Sequence, residues 1–194
     1  MDDLTGRLLV AAPSGRTSAA ESGDEDDADV FERSVVLVLH HDDEGAHGLV
    51  LNHPLSAEVD SVLPGWQEHV NAPAQVFQGG PVSLDTALGL VRMPGISESV
   101  GIKRLFGAVG LVDLDAPPLV VVPEVAGIRI FAGYAGWGAG QLEGEIDGGS
   151  WFVVEAEADD AFTLEPTQLW SSVLQRQRGM LRFLSSYPPD PSLN

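Results

Sequence analysis

Four of the five histidines, His40, His41, His47 and His53, fall within one short stretch beside Asp42, Asp43 and Glu44. Imidazole and carboxylate groups this close together are the raw material of a metal site. The spacing argues against one. No His-x-His or His-x-x-x-His pair occurs, and His40 and His41 point to opposite faces if both lie in a strand. Ligands would have to come from across a turn, so solvated turn histidines are the expectation, with no metal. Nucleophilic chemistry has even less support. Ser14, Ser34 and Ser83 lie near turns, but there is no G-x-S-x-G elbow. The absence of cysteine removes thiol nucleophiles, thiolate metal sites and disulfides. Glu143 and Glu145 are two positions apart and diverge on a helix, which makes them a poor acid–base pair.

A second concentration of signal is IRIFAGYAGWGAGQLEGEIDGGSW, from Ile128 to Trp151. An apolar alternation predicts a strand, Gly133, Gly136, Gly138 and Gly140 predict sharp, close-packed turns, and the residues from Gln141 predict a short helix before a second strand. Glycines between a strand and a helix are also where phosphate binds. The G-x-G-x-x-G test fails: counted from Gly136 and Gly138 the third position is Gln141, and from Gly138 and Gly140 it is Glu143. No Lys or Arg occurs between Arg129 and Arg176. Close backbone packing is therefore expected, with Trp137 buried as an anchor and no cofactor. The remaining candidates would line a ligand cleft at a sheet end: Arg33, Asn52, His53, Gly79, Gly80, Tyr134, Gly136 and Trp137. The alternative for Asn52 and Arg33, with Ser34, is turn hydrogen bonding and a structural ion pair.

The elements that must position these groups read mostly as strands. Leu4 to Ala12 predicts a first strand. Val35 to Leu39 is apolar without alternation, as in a strand covered on both faces. Gly48 to Asn52 is its antiparallel partner. Ser56 is a candidate N-cap for a short helix through Leu63. Ala74 to Phe77, Thr86 to Val91, Leu105 to Leu114 and Trp151 to Glu157 predict further strands, with a tight turn at Gln78 to Pro81. Ala116 to Val125 is either extended or a broken helix. Pro166 opens what reads as the clearest helix, its apolar residues recurring at helical spacing to Leu184. One domain over residues 1–187 is expected, with an acidic flexible loop at 17–29 and a frayed tail at 188–194.

Charge narrows the partners. The net charge is −19, with 29 acidic residues against 10 basic ones. Duplex nucleic acid would be repelled, so direct DNA binding is not expected. The longest aliphatic run is too short to span a membrane, and the N-terminus is acidic where an export signal is basic. A cytoplasmic protein with a protein or small-molecule partner is the simplest expectation.

Several segments taken together resemble the YqgE/AlgH family: Gly6, Leu8 and Leu9; Phe31 to Val35; His41, Gly45, Ala46, Gly48 and Asn52–His53–Pro54; Gly79 to Val82; and Gly133 to Trp137 with Gly140 to Glu143 and Glu145. The resemblance implies an α+β fold: a bulged, curved antiparallel sheet, half-barrel-like, with helices packed outside. One member of that family has been called a transcriptional regulator without a recognisable DNA-binding motif. No catalytic residues carry over. The leading expectation is a non-catalytic regulatory or protein/ligand-interaction module. The alternative is a small-molecule site or enzyme using a cleft of Asn52, His53, Gly79, Gly80, Gly136 and Trp137.

Overall fold

In the computed structural model, the described residues are 3–13, 31–95 and 100–186. The acidic run from Glu21 to Asp29, Ser14 and the tail from Tyr187 lie outside them. Among the described residues ten strands form one curled, mostly antiparallel sheet, half-barrel-like, with a few short helices. The strands are β1 Arg7–Ala11, β2 Val35–Asp42, β3 Gly45–Val50, β4 Pro54–Glu58, β5 Gln75–Gln78, β6 Val82–Arg92, β7 Ile102–Phe106, β8 Val109–Val112, β9 Gly127–Gly138 and β10 Trp151–Glu155. The helices are α1 Pro118–Val121, α2 Gln141–Asp147, α3 Leu169–Gln175 and α4 Met180–Leu184. Along the sheet the order is β10-β1-β2-β3-β9-β6-β8-β7, and β5 pairs with both β4 and β9.

Strand β9 is the axis. One of its edges carries β6, from Arg92 opposite Gly127 to Val82 opposite Tyr134. Its other edge is shared, with β5 parallel at Phe131 and Ala132 and β3 antiparallel from Ala135 to Gly138. Because β5 and β6 lie on opposite edges, the chain between them, Gly79–Gly80–Pro81, must cross over β9. It does so at Gly133 to Ala135. The Gly79 N–H donates to the Ala132 carbonyl, and the Gly79 carbonyl accepts from Val50 N–H, both at 2.8 Å. A Cβ on Gly80 would lie 2.2 Å from the Tyr134 carbonyl carbon, and one on Gly133 2.7 Å from the Gly80 oxygen. Backbone rests on backbone here, and only glycine fits.

Gly133, at φ +68, also resets the strand. Before it, Phe131 faces one core while Ile128 and Ile130 face another. After it, Ala135 and Trp137 face a third. A positive-φ residue inserted in a strand breaks the alternation of side chains, as a bulge does. The sheet therefore has one continuous apolar face, built on Leu8, Leu37, Leu49, Phe77, Leu90 and Phe131 and covered by α3 through Trp170, Val173 and Leu174. The other face is divided. Leu9, Val36, Val38 and Val50 pack with Trp151 and with Leu142 of α2; Val76, Val91, Ile128 and Ile130 pack with Val121 of α1. Residues Val35 to Val38 are fully or nearly fully buried, alternating between the two faces, which is why that run lacks a polar period.

Several local expectations change. Pro54 to Glu58 is a strand paired with β5 rather than a helix, followed by a single 3₁₀ turn at Val59–Ser61. Its inward residues are Leu55, Ala57 and Val59, a period of two. Leu105 to Leu114 is not one strand but the end of β7, a turn with Gly107 at φ +49, and β8. The undecided Ala116 to Val125 forms α1 and a 3₁₀ turn. The long helix from Pro166 is a 3₁₀ turn and α3, separated from α4 by Gly179 at φ +69. Beyond the break, Leu181 and Leu184 still pack against the core as their helical spacing predicts, while Met180, on the same predicted face, is 81% exposed.

The crossing predicts a sharp contrast between glycines. Gly80→Ala should destabilise by about 3 kcal/mol or more, or prevent folding, because backbone cannot move aside. Gly144→Ala should stabilise by about 0.5–1 kcal/mol, since Gly144 is helical with open space where the Cβ would go. Denaturant unfolding of the two variants checks both.

Candidate functional site

The four clustered histidines go to four different surroundings. His40 is exposed and bonds Asp42 at 2.8 Å. His47, its cross-strand partner, lies beside Tyr134 with ring centroids 5.5 Å apart. His41 is buried. Its Nδ1 accepts from the Leu4 N–H at 3.1 Å, which leaves Nε2 to donate to Glu143 at 3.0 Å. That bond, with the N–H of Glu143 itself, holds the Glu143 carboxyl below its usual value. His53 lies elsewhere again. Among the described residues no three His, Asp or Glu side chains converge as metal ligands.

Glu145 turns away from Glu143, as helical spacing requires. Its Oε2 accepts from the indole N–H groups of Trp137 at 3.0 Å and Trp151 at 2.7 Å. Phe31 stacks on both tryptophans, edge-on to Trp151 with centroids 5.7 Å apart. The carboxylate and the rings are mutually satisfied in the core between α2 and β9. Trp137 is 6% exposed, an anchor beneath the sheet. Arg129, 1% exposed, is another buried charge. Its guanidinium donates to the carbonyls of Ala72, Ala161 and Thr163 at 2.9–3.0 Å and lies 4.4 Å above the Phe77 ring. Burial lowers its pKa to about 10, so it stays charged at neutral pH. Arg176 grips Asp160 through two bonds of 2.6 Å, and that carboxylate raises its pKa. These groups tie segments together; of them only Asp160, already held by Arg176, borders an open cleft, of roughly 670 Å³.

The sequence candidates therefore separate. Gly79 and Gly80 form the crossing over β9. Tyr134 and Gly136 sit beside His47 on the half-buried part of that strand, and Trp137 lies in the core. Arg33, Asn52 and His53 come together in a cleft of roughly 430 Å³. Its other walls are Glu32; Thr167 and Gln168, from the 3₁₀ turn before α3; and Trp170 and Ser171, from the start of α3. The last four were not among the sequence candidates, because nothing local marks the first turn of α3 as a neighbour of Asn52.

Asn52 lines the cleft and also builds its wall. Its Oδ1 accepts from the Val35 N–H at 2.8 Å and its amide donates to the Arg33 carbonyl at 2.9 Å. One buried side chain thereby fixes the turn that carries Arg33, which sits at φ +50, rare for a residue with a Cβ. The Arg33 guanidinium stacks 4.6 Å above the Trp170 ring. Trp170 is itself fixed, its N–H donating to the Ala11 carbonyl at 2.9 Å. Burial pushes the His53 pKa below the usual 6.5, and its bond to the Glu32 carbonyl offsets part of that shift. The ring is held in its neutral form at pH 7.

Comparisons with known proteins show the family and the fold. A family model described as AlgH-like matches residues 19–182. The chain belongs to this family. The AlgH-like chain is 50% identical to the UPF0301 protein SCO2948 of Streptomyces coelicolor over 198 residues, covering 100% of this chain and 97% of that one. It is 44% identical to a UPF0301 protein of Thermobifida fusca, covering 98% and 96%. Among solved structures, protein DIP2367 from Corynebacterium diphtheriae aligns at a TM-score of 0.81 with 31% identity, over 94% of this chain and 91% of that one. The AlgH protein from Pseudomonas aeruginosa aligns at 0.66 with 25% identity, over 96% and 95%. The half-barrel α+β fold is thus that of the AlgH-like proteins. No helix among the described residues is long and apolar enough to cross a membrane.

Two predictions follow from the buried groups of this AlgH-like protein. Glu145→Leu strands two indole N–H groups and should cost about 1–3 kcal/mol for each, read as a lower midpoint in tryptophan-detected unfolding. His53 has its folded pKa below its unfolded one, so the unfolded chain takes up the proton first. Stability should be full above pH ~6.5 and fall as pH drops below it. In His53→Gln that part of the slope should disappear from a plot of Tm against pH.

Proposed function

We propose that the protein is a non-catalytic cytoplasmic binding module whose recognition site is the cleft between the Glu32–Arg33 turn, Asn52–His53 and the start of α3. One observation carries this reading. Side chains from three separate segments form a polar, solvent-open hollow there, while the interior ionisable groups Glu145, Arg129 and Asp160 are engaged in structural bonds. The roughly 430 Å³ of space falls in the range of small-molecule clefts, ~300–1,000 Å³. The lining offers a guanidinium, a carboxylate, an amide and hydroxyls, but no nucleophile paired with a base and no oriented acid–base couple. Binding, rather than turnover, is what such a set can do.

A regulatory role would run through occupancy of this cleft and its effect on a partner protein. Direct contact with nucleic acid is disfavoured by the net charge of −19.

The test is a thermal-shift screen of the full chain against a chemically diverse metabolite library, repeated with Ser171→Phe, which fills the cleft from its half-buried edge. A ligand that binds the folded state raises Tm in proportion to its occupancy. The expected result is a saturable shift that Ser171→Phe abolishes. A shift that survives Ser171→Phe would move the site elsewhere, and catalytic turnover of a hit would replace the binding reading.

A further inference from the structure

The segment that leads into α3 also walls a second hollow. Leu164, Glu165, Leu169 and Ser172 line a groove of roughly 670 Å³, which shares no lining residue with the cleft around Asn52. Its floor is apolar, with Phe162 and Leu169 both buried. Its rim is less ordinary. Leu164 is 72% exposed although it lines the same groove. A lone exposed leucine carries little meaning, but one that continues the apolar lining of a groove marks a surface left for a partner.

The charges around the groove leave one sign unanswered. Arg92 is paired with Asp159, and Asp160 with Arg176. Glu165 is exposed, and no side chain among the described residues answers its carboxylate. Asp159 is itself 84% exposed and bonds Arg92 through Oδ1 alone, so its other oxygen is open as well. A cation is therefore what the rim lacks. This chain does not supply it from elsewhere: the one basic residue outside the described residues is Arg16, in a stretch that is otherwise acidic. A second copy, also at net charge −19, is opposed by like charge.

We propose that the groove docks a partner protein through a short segment in which leucine or phenylalanine lies next to lysine or arginine. The apolar side chain sits over Phe162 and Leu169 against Leu164, and the cation meets Glu165 and the open oxygen of Asp159. The apolar floor supplies affinity, and the acidic rim selects and orients the partner.

Fluorescence anisotropy on the full chain tests this with labelled, end-blocked hexapeptides that mix leucine and phenylalanine with lysine and arginine. One control set replaces the apolar residues with serine, and a second replaces the basic residues with glutamate. The expected result is saturable binding of at least one mixed peptide, weakened at least about tenfold by Leu164→Ser and about fivefold or more by Glu165→Lys. Both residues are exposed, so neither substitution empties the core, and circular dichroism checks that the variants fold. Glu44→Lys makes the same change in net charge on the exposed turn between β2 and β3 and should alter binding less than about twofold. An equal loss in Glu44→Lys would reduce the effect to net charge and overturn the proposal. Serine-substituted or glutamate-substituted peptides binding as tightly as the mixed set would overturn it too. Phenethylamine or spermidine competing at the affinity of the peptide would make the groove a small-molecule site instead. Peptide binding that ignores Leu164→Ser, or no binding by any mixed peptide, would equally overturn it, and each of these outcomes leaves the reading of the Asn52 cleft untouched.

Discussion

The structure depends on one steric constraint: two backbones must touch where the chain passes over β9. From β5 on one edge to β6 on the other there are only Gly79, Gly80 and Pro81, and beneath them lie Gly133 to Ala135. A built Cβ at Gly79 would stand 2.3 Å from the Gly133 oxygen, and one at Gly80 2.2 Å from the Tyr134 carbonyl carbon. The crossing lets β9 pair with three other strands. It also places the positive-φ Gly133 where the side-chain phase must change, so the same strand feeds apolar residues into three cores.

The buried charges serve the same end. Arg129 lies on β9 and gathers the carbonyls of Ala72, Ala161 and Thr163, segments that otherwise have no ladder to hold them. Glu145 fixes α2 to both Trp137 and Trp151, joining β9 to β10 across the sheet. His41 ties Leu4 to Glu143 with one tautomer. Buried ionisable groups are often read as signs of a reactive site. Here each is hydrogen-bonded to neighbouring segments, and its role is to hold loops and helices whose backbone cannot join the sheet.

The cleft is a by-product of that same scaffold. Asn52 stands at the end of β3 and holds the Arg33 turn by two backbone bonds. Trp170 of α3 lies against the continuous face of the sheet and supports the guanidinium. The walls are therefore set by the packing of α3 across β1 to β3.

Much of this was legible in the residues themselves. Val35 to Val38 had to be covered on both sides, because four consecutive apolar residues leave no polar face. The glycines from Gly133 had to mark close backbone approach, since their spacing fits no phosphate loop and acid follows them. Glu143 and Glu145 had to diverge on a helix. Other features were decided only by tertiary contact. Pro54 to Glu58 is a strand because β5 offers it an edge, overriding a plausible N-cap at Ser56. Past Gly179, Leu181 and Leu184 reach the core but Met180 stays exposed, because the break at Gly179 resets the helix. The candidates Gly79, Gly80, Tyr134, Gly136 and Trp137 lie apart from Arg33, Asn52 and His53, while Gln168 and Ser171 join the latter. The physical reason is range. Periodicity and turn chemistry act between neighbours along the chain, whereas a crossing or a cleft requires segments far apart in sequence to meet, and only the paired and packed sheet determines which ones do.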